Sequence, residues 1–528
     1  MGFSLNCYFQ YMAKVQLFLL LCLSFSLGGS NLVEQGIKER QASSTITVAI
    51  PSATDIRDFD TAKITKDYQY TVLLALYSPL LEHDYLQSQI VIGLAESFSW
   101  EGNDFVVKIK KDRFTKSGYH ITADDVIFTL KRQMILGSNS HGDLRRLFCG
   151  GFQIIEVDQD CNGLSKRDNY TIIFHLKQKS PDLIRSLTSI DFGIVPRTAV
   201  DPATLKIVDY SETSGPMYFA GKDDKGQIVL AAQPNHWHNL AFEKAVLFPD
   251  SYINTNGEAI PASVAAFESG IIDIVPTTSL HSLGPESYRF RFPYFVHTTN
   301  HLGISYLRFT KEGRSMPPQI RNYWARQLQN HIASHPERML PNRKITRQFF
   351  IEEGFGGLSP ELKRRLDSVQ TGELLNPPSF VIAAHEGVYD LYKRLFVDLP
   401  LVKILKESDV SVVNAASSAQ PQTKIHATVS MIDGSFDEDL NYLEFLYKDG
   451  LFPIQDGEGA KWLEAYSSEL DESTRDKMVQ MLHWEMIAVE PTVVPLWQRP
   501  YTAWSRNGWV MTLPKNYVSM PLWLIKRS

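Results

Sequence analysis

One stretch constrains the fold of this chain more than any other, the run from Tyr77 to Arg132. It reads YSPLLEHD, then GLAESFSW, then FVVKIK, then RFTKSGYHITADDVIFTLKR. Phe105, Val107 and Ile109 alternate with Val106, Lys108 and Lys110, so the segment is a half-buried strand with one apolar face. Lys116-Ser117-Gly118 supplies a turn, and Thr122 stands three residues before Asp125, the spacing of a helix N-terminus. Val126, Ile127, Leu130 and Met134 then continue at helical spacing. A turn, a strand, a second strand and a capped helix in this order are compatible with few α/β architectures.

Length sets the next bound. A chain of 528 residues exceeds what one simple core organises, so two or three lobes are expected. A net charge of −6 is small for this size and there is no long basic run, which argues against nucleic acid as a partner. Lys14 precedes the apolar run Val15–Leu27, and Gly28-Gly29-Ser30 follow it, so residues 1–30 read as a removable secretory signal. A retained N-terminal anchor is the competing reading, and Met12 is an alternative start. Cys22 follows Leu19-Leu20-Leu21, a poor context for lipid attachment, so no lipid anchor is expected. Without the leader only Cys149 and Cys161 remain; in an oxidising compartment they are either a disulfide closing a small loop or two buried thiols.

Along the rest of the chain, Thr45–Ile50 reads as a strand and Tyr70–Leu81 as an apolar helix stopped at Tyr77-Ser-Pro. Strands are expected at Phe152–Val157, Tyr170–Leu176, Ile228–Ala232, Leu302–Phe309, Phe380–Ala384 and Val410–Val413. Helices are expected at Pro181–Leu187, Ile320–Ile332, within Pro360–Leu375, at His385–Phe396 and at Glu472–Val489. In Ser263–Val275 a helix stops at Gly270 before a buried strand. Strands alternating with helices imply parallel βαβ units.

The ordered motifs of the Tyr77–Arg132 stretch resemble family 5 of the bacterial extracellular solute-binding proteins, the oligopeptide-, dipeptide- and nickel-binding partners of ABC importers. Thr213-Ser-Gly-Pro-Met-Tyr-Phe219 is similar to the family's GTGPY element, though Thr213, Ser214 and Met217 depart from it. Pro234-Asn-His-Trp237, SVAAFESGIIDIV at Ser263–Val275 and the helix containing Ala325–Ile332 are similar to further family elements. The resemblance covers nearly the whole mature chain and implies a type II periplasmic-binding-protein fold, cluster C-like, with two α/β lobes, a hinge and a small inserted domain. The implied division is residues 45–76, 196–295 and 491–528 in lobe I, 77–195 in the inserted domain and 296–490 in lobe II.

No nucleophile elbow, zinc-protease helix, phosphate-binding loop or paired Cys-x-x-Cys motif occurs, so no enzyme, cofactor or metal is expected. His236 and His238 share a strand face but lack a third ligand, and ordinary surface histidines are the reading preferred. Binding remains: two lobes can close on a solute and withdraw it from water. In the family's peptide binders a carboxylate pairs with the peptide ammonium, because a buried ammonium must be paired. The resemblance places that carboxylate at Asp433, then Asp437, with Phe436 between them; a solvated acidic turn is the bland alternative. Tyr77 and Trp497 are cleft candidates where the family's chain passes between lobes, with core aromatics as the alternative. The implied function is capture of an extracytoplasmic solute, an oligopeptide or dipeptide, by a monomeric periplasmic protein for ABC permease subunits. Presentation of the solute to a membrane receptor is the first alternative and a secreted hydrolase the second.

Overall fold

The computed structural model describes residues 44–528 apart from 67, 88, 138–148, 150–153, 256–257, 277–289, 341, 352–355, 369–373, 409–423, 434–438, 455–456 and 515–519. The expected signal segment and the expected strand at 410–413 therefore lie outside the described residues.

Two long antiparallel strands, Tyr294–Phe309 and Val493–Arg506, run through the centre of an 11-stranded sheet. On one side of them lie Ile274–Val275, Thr45–Pro51, Lys244–Asp250, Ile228–Ala232 and Met217–Lys222 in spatial order. On the other lie Ala427–Asp433, Phe380–Ala384 and Val402–Lys406, and the short Lys344–Ile345 pairs with Val493–Arg506 as the eleventh strand. The pairs Thr45–Pro51 with Lys244–Asp250 and Phe380–Ala384 with Val402–Lys406 are parallel, as alternation of strands with helices requires. Separate cores accompany the two wings. Val48, Leu73, Tyr77, Leu230 and Leu247 pack in the first, and Trp324, Leu328, Phe380 and Trp497 in the second, with a further cluster around Tyr442, Leu443 and Val479. This is the two-lobe periplasmic-binding architecture, and the crossing strands join its lobes.

A four-stranded sheet, in the order Ala95–Glu101, Asp104–Ile109, Thr171–His175, Leu164–Asp168, carries a core of its own. Phe105, Val107 and Ile109 are buried in it beside Val126, Leu130 and Met134 of the helix Ala123–Leu136. A capping box starts that helix. The Asp125 carboxylate, wholly buried, accepts from the Thr122 N–H at 2.9 Å, from the Tyr119 hydroxyl at 3.0 Å and from the Arg197 N–H at 3.0 Å. One carboxylate thus fixes the helix start and ties it to the chain returning at Pro196-Arg197.

The helix expected at Tyr70–Leu81 spans Gln69–Leu76; Tyr77 is already extended, because Ser78 precedes a proline and is disfavoured in the helical region. The expectation of a strand at Phe152–Val157 is corrected: 152–153 lie outside the described residues and Ile154–Val157 form none. Ile154 is buried while its neighbour Ile155 is exposed, so the segment dips once into the core, and Leu164–Asp168 takes the edge of the sheet instead. Cys149 and Cys161 are joined as a disulfide across twelve positions beside that core. The strand Val402–Lys406 has no apolar alternation strong enough to be read in advance.

Candidate functional site

The site is the junction where the crossing strands leave one lobe and enter the other. Tyr294–Thr298 of the first strand pairs with Thr502–Arg506 of the second, whose Trp504 and Ser505 also meet Val275 and Ile274 of lobe I. Gly303–Phe309 pairs instead with both Val493–Arg499 and the lobe II strand Ala427–Asp433. Each strand therefore serves one lobe with half its length and the other lobe with the rest. Among the described residues, positions 299–302 and 499–503 pair with no strand other than each other. The register shifts between Thr298 and His301 and again between His301 and Gly303. Bulges loosen a ladder and bend it, and these register shifts fall where the strands change lobe.

Side chains brace this bend. The Thr299 hydroxyl accepts the Tyr501 N–H at 2.9 Å and donates to the Asn300 carbonyl at 2.7 Å, replacing ladder bonds lost in the bulge. Arg499, 5% exposed, lays its guanidinium 4.9 Å from the Tyr501 ring centre. A Cβ at Gly303 would fall 2.8 Å from Arg499 Cγ and 2.9 Å from its Nε, so glycine is what lets the arginine cross the strand there. Burial lowers the pKa of His301 in the same segment.

Asp433 is the last residue of its strand and its backbone lies opposite Gly303, which in turn lies opposite Arg499. Asp433, Gly303 and Arg499 thus form one row across three adjacent strands at the lobe junction. Phe436 and Asp437 fall outside the described residues. Tyr77 and Trp497 are not brought together. Tyr77 is wholly buried in lobe I, with Gly193 and Gly215 closing on it: a Cβ at Gly193 would sit 2.9 Å from Tyr77 Cβ and one at Gly215 2.6 Å from Tyr77 N. Burial, with Tyr210 and Asp60 nearby, pushes its phenol well above the usual range, and among the described residues its hydroxyl has no hydrogen-bond partner. Trp497 packs in lobe II with its ring 5.4 Å from that of Tyr392.

The two histidines of the Pro234–His238 loop face different partners. His238 Nε2 lies 2.8 Å from Glu82 Oε2 and its ring stacks on Trp523 at 3.9 Å. His236 stacks on Trp237 at 3.7 Å, and burial, reinforced by His238 and Arg113, pushes its pKa down to about 2. Among the described residues no group of three or more His, Cys, Asp or Glu is placed to hold a metal ion.

Sequence reasoning missed Thr299, Gly303, Arg499 and Tyr501. The available signal was the polar run Thr298-Thr-Asn-His301 before an apolar strand, matched by Gln498-Arg-Pro500 inside another. Only pairing the two runs across 200 positions gives either a meaning.

A pair of crossing strands joining two α/β wings is the two-lobe periplasmic-binding fold, and known structures share it. Residues 89–317 match the family model described as bacterial extracellular solute-binding proteins, family 5 Middle. The resemblance to family 5 carried by the sequence motifs is thereby borne out. Among solved structures, NikA from Brucella suis in complex with Fe(III)-EDTA superposes with TM-score 0.68 at 15% identity, covering 91% of this chain and 100% of that one. The Escherichia coli murein tripeptide binding protein MppA gives 0.64 at 14%, covering 92% and 98%. Haemophilus influenzae OppA complexed with RPPGFSPFR gives 0.62 at 14%, covering 92% and 99%. No curated protein sequence matches the chain.

Proposed function

We propose that this chain captures a peptide outside the cytoplasm, an oligopeptide or dipeptide, between its two lobes and delivers it to the permease subunits of an ABC importer. In this reading residues 45–76 and 196–295 act as one lobe and 303–490 as the other, with 77–195 inserted and the second crossing strand shared, 493–499 on lobe II and 502–528 on lobe I, and the exported protein works as a monomer without cofactor or catalytic step. The Cys149–Cys161 disulfide fits an oxidising compartment.

The observation that carries the reading is the position of Asp433, at the end of a strand beside the bulged crossing. In this reading Asp433 is the anionic partner of the solute's ammonium when the lobes close and exclude water. In such surroundings a peptide ammonium requires an anionic partner, and truncating one member of a buried charge pair costs about 2–5 kcal/mol, roughly 30-fold or more in affinity. Titration calorimetry with peptide pools tests this. Asp433→Asn is expected to weaken peptides with a free N-terminus at least that much, and N-acetylated peptides are expected to bind neither form. Equal binding of acetylated and free peptides to the parent would contradict the assignment of Asp433, and absence of binding by every peptide would contradict the solute class.

A further inference from the structure

Away from the crossing strands lobe II is met a second time, through side chains of the inserted domain, which the buried Arg132–Asp60 ion pair ties to lobe I. Asp182 lies on the short helix Pro181–Ser186, whose Leu183 is buried in the core of the four-stranded sheet. Arg475 lies on the helix Glu472–Trp484, whose Val479 and Leu482 are buried in lobe II. The residues are 293 positions apart, yet the Arg475 guanidinium grips the Asp182 carboxylate with both terminal nitrogens, Nη1 at 3.1 Å from Oδ2 and Nη2 on Oδ1. Both side chains are 5% exposed. The guanidinium also lies over the Tyr466 ring, 4.1 Å from its centre. Two weaker links flank the pair: Arg185 Nη2 lies 3.3 Å from Glu472 Oε1, and Gln178 Nε2 donates to the Ser468 carbonyl at 3.5 Å.

We infer that Asp182 and Arg475, backed by Tyr466, form a latch that sets how far the lobes stand closed before any solute arrives. The inference rests on the reading that the lobes open and close on a solute. Opening returns both charges to water, so their attraction when closed is offset by the hydration regained when open, and the intact pair biases closure only modestly. Removing one partner is different. The closed form must then bury a lone charge, which the open form does not, so the equilibrium swings toward open. Removing both partners leaves no charge to bury, and part of the closure returns. The latch enters solute affinity through the fraction of molecules already closed, since apparent affinity scales with that fraction.

The test is a double-mutant cycle on the full-length chain, with spin labels at Lys177→Cys and Glu464→Cys reading the distance between lobes without solute. Asp182→Asn and Arg475→Gln are each expected to lower the closed-to-open ratio about tenfold, and the double variant to lie nearer the parent than either single one. A distance distribution unchanged in both single variants overturns the latch, as does a double variant more open than either. Should Arg475→Gln fold poorly, Asp182→Asn and Tyr466→Leu carry the same measurement, because both are expected to open the lobes and identity with the parent overturns the latch. A peptide pool added afterwards reads the capture separately: variants that differ before addition but never respond to it leave the latch standing and refute the peptide reading.

Discussion

Lobe II meets the rest of the molecule in two places that differ in kind, lobe I at the crossing strands and the inserted domain at an ion pair. At the crossing strands the meeting is continuous backbone, a ladder interrupted by bulges and braced by Thr299, Arg499 and Tyr501. At Asp182 and Arg475 it is side-chain contact with no strand pairing behind it. A ladder can bend but not part without unfolding, whereas an ion pair can be exchanged for water at little net cost. If the lobes close on a solute as proposed, the comparison implies a division of labour in which the strands set the axis of closure and the ion pair its resting position. Changes at either junction should therefore alter lobe distances, and changes inside a lobe should alter stability alone.

The largest effect is expected at the strand junction. Gly303→Val drives a branched side chain into the space held by Arg499 and should cost at least about 3 kcal/mol in urea unfolding while abolishing any solute-dependent change in lobe distance. Next comes a change inside the inserted body. Cys149→Ser with Cys161→Ser opens a short loop and should cost about 2–3 kcal/mol, with lobe distances unaltered. If the distances did change, the separation of junctions from bodies would fail.

A pH effect of about 2 kcal/mol should behave like the disulfide. His483 is wholly buried in lobe II, its Nδ1–H donating to the Gly356 carbonyl at 2.8 Å and its Nε2 accepting the Phe349 N–H at 2.9 Å. Burial pushes its pKa from the ordinary 6.5 down to about 3. The unfolded chain then takes up the proton first, so this contribution is complete above about pH 6.5 and is lost as pH falls toward 3. By pH 5 the loss should reach about 2 kcal/mol, and His483→Gln should flatten that limb of the stability curve. Smaller still, Tyr466→Leu removes the ring under Arg475 and should weaken the closed form by about 1 kcal/mol, read as a shift in lobe distance. Arg185→Ala breaks an exposed pair and should stay within about 0.5 kcal/mol of the parent by both measures.

The same division explains what could be read in the sequence. The capped helix at Ala123, the alternation of Phe105, Val107 and Ile109, and the stop at Gly270 (φ +81°) are local, each set by neighbours within a few positions. The junctions are not local. Gly303 matters only because Arg499 crosses it, and Asp182 only because Arg475 arrives from the other lobe. Asp433 is singled out in the sequence only by family likeness in motif order, and its row with Gly303 and Arg499 is a property of strand register. Family likeness made Tyr77 a cleft candidate with a core aromatic as the alternative, and its burial between Gly193 and Gly215 comes from three segments that no spacing connects.

Native mass spectrometry of the protein purified gently from its own host addresses the central claim most directly, that the space between the lobes is the working part. The account predicts one solute of unaltered mass per chain, a peptide, released on unfolding and absent from the Gly303→Val variant. A bare chain from every preparation, or a solute returned chemically changed by the protein, would contradict it.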